Sequence, residues 1–86
     1  MDEGRIVYRF QKNPEEEVRF TVKGYKERQY LDLRLWFQTS EKGEYFPTRK
    51  GLTLSLDYLS ELKKGFERVQ KTAQEIALQQ EPQSVK

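Results

Sequence analysis

YLDLRLWF, residues 30–37, alternates without a slip: Leu31, Leu33, Leu35 and Phe37 fall on one side, Tyr30, Asp32, Arg34 and Trp36 on the other. A period of two is the signature of a half-buried strand. The second side would ordinarily face water, and a tryptophan is a poor choice for water. That face therefore calls for an explanation.

The same period extends outward on both sides. RIVYRFQ (5–11) sets Ile6, Tyr8 and Phe10 against Arg5, Val7 and Arg9. NPEEE breaks the pattern as a turn, because Pro14 fixes its own backbone and Asn13 tolerates turn geometry. VRFTVKG resumes it, with Val18, Phe20 and Val22 inward and Arg19, Thr21 and Lys23 outward, and Gly24 marks the strand's end. After the central strand, QTSEKGE reads as a polar hairpin loop. EYFP is a brief return strand that ends near Pro47, a residue suited to a sheet edge. TRKG is a turn in which Gly51 is free to take a left-handed conformation, and LTLSL alternates once more.

From Ser55 the period changes. Ser55 stands at a helix N-cap and Asp57 in the first turn, where its charge meets the positive end of the helix dipole. Leu59, Leu62, Phe66, Val69, Ala73 and Ile76 then recur at alternating steps of three and four, a narrow stripe of heptad type. Gly65 interrupts it, at a cost of about 1 kcal/mol relative to Ala. The stripe has three possible partners: the sheet, a second copy, or each in turn. The predicted architecture is α+β, an antiparallel sheet of four or five strands with one face covered by a long C-terminal helix. Residues 1–79 form a single domain and 80–86 a flexible tail.

Composition bounds the function. Of the 86 residues, 35% are hydrophobic and 35% charged, so a monomer buries little and a partner surface or a homodimer is expected to add stability. With no Cys and no His, the chain lacks thiolate chemistry, the usual zinc ligands and the commonest general base. An enzyme, a metal site and a cofactor are therefore not expected. EEE at 15–17 reads as a solvated turn, because consecutive strand residues point to opposite sides. No apolar run is long enough for a bilayer and the N-terminus is no signal peptide, so a cytoplasmic protein without membrane attachment is expected.

Net charge is only +2, but from Val18 to Arg34 five basic residues stand against two acidic ones. The outward face collects Arg5, Arg9, Arg19, Thr21, Lys23, Tyr30, Asp32, Arg34 and Trp36, with Tyr25, Lys26 and Arg28 at the neighbouring loop. Cations that follow phosphates, interleaved with rings that stack on unpaired bases, are what single-stranded nucleic acid requires. A solvated face or a protein interface built from cross-strand pairs fits the same pattern.

Within YKERQYLDLRLWF and GEYFPTRKGLTLSLDYLSELKK the chain resembles a known family. It is the single-stranded-DNA-binding C-terminal domain of the eukaryotic coactivator positive cofactor 4, with its stand-alone bacterial and phage relatives. The resemblance rests on Tyr25-Lys26, Leu31-Asp32-Leu33-Arg34 with Trp36-Phe37, Gly43-Glu44, Pro47, and Arg49-Lys50-Gly51-Leu52-Thr53-Leu54, and covers roughly residues 18–64. It implies a homodimer of curved antiparallel sheets with Leu59, Leu62, Phe66, Val69, Ala73 and Ile76 at the interface, and sequence-tolerant binding of single-stranded DNA in transcription or genome maintenance by a nucleoid-associated bacterial-type protein. Tyr25 and either Trp36 or Phe37 would stack on bases; Lys26, Arg34, Arg49 and Lys50, with Lys23 beside them, would hold the backbone, and Arg28 joins them by its place at the neighbouring loop rather than by the resemblance. RNA, and transcription or repair proteins, are the alternative partners. The chain departs from the family pattern at the turn glycine, replaced by Glu27.

Overall fold

The structure, a computed structural model, describes residues 4–39 and 43–84; residues 40–42 of the expected loop and 85–86 of the expected tail lie outside it. Strands β1 (Arg5–Asn13), β2 (Glu16–Tyr25), β3 (Arg28–Gln38) and β4 (Tyr45–Ser55) pair antiparallel in chain order. A single 3-10 turn, Leu56–Tyr58, leads into helix α1, Leu59–Ser84. The expected α+β class holds, with four strands.

EYFP and LTLSL are two halves of β4, not separate strands. Pro47 sits inside β4, and is tolerated because β4 is a sheet edge. What reads as the TRKG turn is a bulge: Arg34 pairs with Gly51 and Trp36 with Pro47, so Thr48, Arg49 and Lys50 oppose Leu35 alone. Thr48 pins it, its Oγ1 donating to the Leu35 carbonyl at 2.8 Å and accepting from the Lys50 amide at 3.1 Å.

Gly51 is not left-handed, as positive φ among the described glycines occurs only at Gly4 and Gly43. It is required for close approach: a Cβ there would lie 2.6 Å from the Leu33 carbonyl oxygen and 2.8 Å from Arg34 Cα. Both are backbone atoms and cannot swing aside. Gly51→Ala is expected to push β4 from β3 and cost about 1–3 kcal/mol, checked by the urea midpoint.

Turn chemistry explains both hairpins at the ends of β2. Asn13 Oδ1 accepts from the Glu15 and Glu16 amides at 3.0 and 2.9 Å, an Asx turn that reverses the chain at Pro14. At the other end Tyr25 pairs with Arg28, leaving Lys26 and Glu27 as a two-residue loop with φ of 50° and 66°. Two positive φ values make a type I′ turn, the geometry that matches strand twist.

One face of the sheet carries Val18, Phe20, Val22, Leu31, Leu33, Leu35 and Leu52; the other carries Glu17, Arg19, Thr21, Lys23, Tyr30, Asp32, Arg34 and Trp36. In β1 a register shift at Val7 exchanges the expected sides of its first residues. Ile6 pairs with Thr21 on the polar face and Arg5 with Val22 on the apolar one.

The expected cover of the apolar face by the helix is not what the structure has. Only the first two turns of α1 approach it: Leu59, Leu62 and Phe66 share an open groove of about 330 Å³ with Val7, Phe20, Val22 and Leu31. Among the described hydrophobic residues only Leu31 and Leu35 are buried, while Phe66, Val69 and Ile76 are exposed. Ser55 Oγ accepts from the Asp57 amide at 3.1 Å, capping the 3-10 turn rather than α1 itself. The helix continues through Gly65 and on to Ser84, past the boundary at which a tail was expected to begin.

Candidate nucleic-acid interface

The polar face is more tightly organised than the apolar one, and charge pairing is the reason. Asp32, only 3% exposed, takes Arg34 Nη2 at 2.9 Å, Arg34 Nε at 3.2 Å and Thr53 Oγ1 at 2.8 Å. Arg34 Nη1 continues to the Thr48 carbonyl at 3.0 Å. One guanidinium thus joins the centre of β3 to the β4 bulge. Burial by itself raises the Asp32 pKa, but the hydrogen bonds from Arg34 and Thr53 and the charges of Lys23 and Arg34 outweigh it and hold the carboxyl below its ordinary value.

Trp36 lies on the same face as Arg34, since the β2–β3 register runs unbroken through Phe37. It is not an open platform. The Arg19 guanidinium sits 4.3 Å from its ring centroid and 5.0 Å from that of Tyr45, and Glu17, two residues back on the same face of β2, anchors Arg19. Trp36 Nε1 is buried without a partner. The Trp on the polar side of β3 is therefore covered by a cation, not by water. Glu17, expected in a solvated turn, is 4% exposed in this stack.

Phe37 points the other way. It pairs with Phe46 on the apolar face, both rings exposed. Lys50 also belongs to that side, lining a groove with Lys12, Val18, Leu33 and Leu52. Arg49 is exposed in the bulge.

The remaining sequence-predicted residues converge at the β2–β3 turn. Tyr25 is 46% exposed, with Lys26 Nζ 5.4 Å from its ring centroid. Arg28 is its cross-strand neighbour. Beside them Lys23, Tyr25, Tyr30 and Thr53 line an open, largely apolar pocket of about 430 Å³. Alternation places Tyr30 on this face, but the pocket itself and the part of Thr53 in it were not legible, because the bulge sets the register of β4 against β3. Two tyrosines, a lysine and a hydroxyl around a concave surface can stack on a flat ring and neutralise an attached anion.

A family model described as "Transcriptional Coactivator p15 (PC4)" matches residues 12–65, the segment that contains this turn, the Asp32–Arg34 network and the bulge. The chain belongs to this family. PC4 proteins are DNA-binding transcriptional coactivators. A PC4 homologue of Burkholderia pseudomallei K96243, in an orthorhombic crystal form, superimposes with a TM-score of 0.73 at 26% identity, covering 81% of this chain and 93% of that one. Its tetragonal form gives 0.72 at 25% identity, covering 79% and 98%. The bacteriophage T5 homologue of the eukaryotic coactivator PC4, implicated in recombination-dependent DNA replication, shares the fold with a TM-score of 0.55 at 20% identity, covering 98% of this chain and 91% of that one. Comparison with functionally curated proteins returned no match. No described helix is long and apolar enough to cross a membrane.

Proposed function

We propose that this PC4-family chain is a homodimeric, sequence-tolerant binder of single-stranded DNA that acts as a transcription or genome-maintenance cofactor and not as an enzyme. The observation that carries the reading is the turn cluster. Tyr25 and Tyr30 offer ring faces beside Lys23, Lys26 and Arg28, and only unpaired bases have free faces to meet them. Arg49, exposed in the bulge, extends the contact surface by its match to the family motif; Lys50 and Phe37 share that match but lie on the apolar side of the sheet, so they are not part of this surface. Arg34 and Trp36 support the face from within, since their polar and ring surfaces are already engaged. The second copy covers the apolar sheet face and the stripe from Leu59 to Ile76.

Anisotropy titrations with single-stranded DNA, duplex DNA and RNA of one sequence test this directly. Tyr25→Ala is expected to lose roughly 1–3 kcal/mol of single-strand affinity. If about four cations meet phosphates, log affinity falls against log salt with a slope of about −3. A flat salt response, or equal binding to duplex, overturns the reading.

Glu27 modulates the same turn. It holds φ of 66° without being glycine, and adds a carboxylate between Lys26 and Arg28. Glu27→Gly is expected to relieve roughly 1 kcal/mol of backbone strain and to tighten single-strand binding. Thermal melting and the same titration check the two effects separately.

A further inference from the structure

At the far end of the polar face lies a second pocket of different chemistry. It has about 290 Å³, room for one nucleobase, and is lined by Arg9, Phe10, Gln11, Glu17 and Tyr45. Glu17 is eight residues from Tyr25 along β2, about 26 Å at the rise of a strand. A single strand lying along β2 from the turn cluster reaches it after a few nucleotides.

The polar atoms are already sorted by the contacts they make. Both guanidinium contacts to Glu17, from Arg9 Nη1 at 3.4 Å and from Arg19 Nε, fall on Oε2, so Oε1 is the oxygen left to accept from a ligand. Gln11 Nε2 is directed at the Asn13 carbonyl (2.8 Å), the Glu16 carbonyl (3.2 Å) and Tyr45 Oη (3.4 Å), so its Oε1 is likewise the remaining acceptor. Arg9, with a side chain 59% exposed, keeps guanidinium donors available. The Tyr45 ring, fixed by Arg19 on one side and by Gln11 at its hydroxyl, forms a wall.

Two acceptors beside one donor complement a base edge with two donors beside one acceptor. Among the DNA bases this is guanine, whose N1–H and 2-amino group donate and whose O6 accepts. Thymine has one donor between two acceptors, and adenine and cytosine each have the amino group as their one donor group beside ring acceptors. Unpaired bases are read in this way on their Watson–Crick edges. We infer that the pocket of Arg9, Gln11, Glu17 and Tyr45 is a guanine-selective subsite on an otherwise sequence-tolerant single-strand surface. The inference rests on the single-strand reading above. Arg9 and Gln11 come from the part of β1 that precedes the family match at residue 12, so the matched family segment does not supply them.

The test compares three oligonucleotides of about 20 nucleotides, long enough to cover the face: all dT, dT with dG at every fourth position, and the same with deoxyinosine for dG. Isolated guanines avoid quadruplex formation. The wild-type chain is expected to bind the dG oligonucleotide at least about fivefold tighter than dT, with deoxyinosine, which lacks the 2-amino group, between them. In Glu17→Gln and in Gln11→Ala the dG-to-dT ratio is expected to fall to about one. Gln11 is exposed, so its variant keeps the test open if the Glu17 variant does not fold. A wild-type ratio of one, or a ratio that survives both substitutions, overturns the guanine subsite and leaves single-strand binding standing. Absence of binding to all three oligonucleotides removes both.

Discussion

Arg34→Ala is expected to lower stability by about 3 kcal/mol, a fall in melting temperature of roughly 12–24 °C for a domain of this size. The substitution strips Asp32, 3% exposed, of its guanidinium and leaves the Thr48 carbonyl without its donor. Thr53 Oγ1 alone remains on the carboxylate. A nearly buried anion with one neutral partner costs far more than the pair was worth. Asp32→Asn is milder, because Arg34 keeps 20% side-chain exposure and its charge can reach water. The pH dependence follows from the lowered Asp32 pKa. The native state binds that proton less readily than the unfolded chain does, so the stabilisation is complete above the ordinary carboxylate pKa of about 3.9 and is lost as pH falls through the lower native value. Asp32→Asn is expected to flatten that acid limb in melts at fixed protein concentration. If Arg34→Ala melts like wild type but binds single strands poorly, Arg34 is a phosphate ligand and not a brace.

That outcome matters because Arg34 is where pattern and geometry part company. Period two placed it on the correct face, and the family motif made it a backbone cation. An ion pair between Asp32 and a neighbouring Arg is the readier sequence reading of that carboxylate, and the structure has it with Arg34; what local pattern does not show is that the same guanidinium also reaches the Thr48 carbonyl. The β4 bulge was equally hidden. TRKG looks like a turn to any local rule, and only the pairing of Gly51 with Arg34 and Pro47 with Trp36 makes it three residues opposite one. By contrast, the faces of β2 and β3, the Asn13 turn and the role of Ser55 as a cap were legible, since each depends on neighbours in sequence. Which of Trp36 and Phe37 shares the face of Arg34 follows from the unbroken β2–β3 register, a long-range fact. Glu17 was misread for a similar reason: its burial comes from Arg9 on β1 and from Arg19, whose position depends on Trp36 and Tyr45.

Phe66→Asp with Val69→Asp is expected to abolish the folded state at micromolar concentration, the largest effect of any substitution considered. The apolar face of the sheet has Phe20, Val22 and Leu33 half exposed, and the exposed helix stripe stands beyond it. At about 25 cal/mol per Å² of apolar area, two such surfaces left in water forgo most of the burial a small domain has to offer. A second copy of the same chain carries the same two surfaces and can cover both by a two-fold operation, each helix meeting its mate or the mate's sheet. Two carboxylates in the middle of the stripe would be desolvated without partners, and the dimer would not form. Wild type is then expected to sediment at twice 10.4 kDa, with a melting temperature that rises with protein concentration. Phe66→Leu serves as the control, keeping the apolar surface and hence the dimer. A wild-type monomer whose melting temperature ignores concentration would mean that these surfaces are stable in water, and the two-fold arrangement would have to be abandoned.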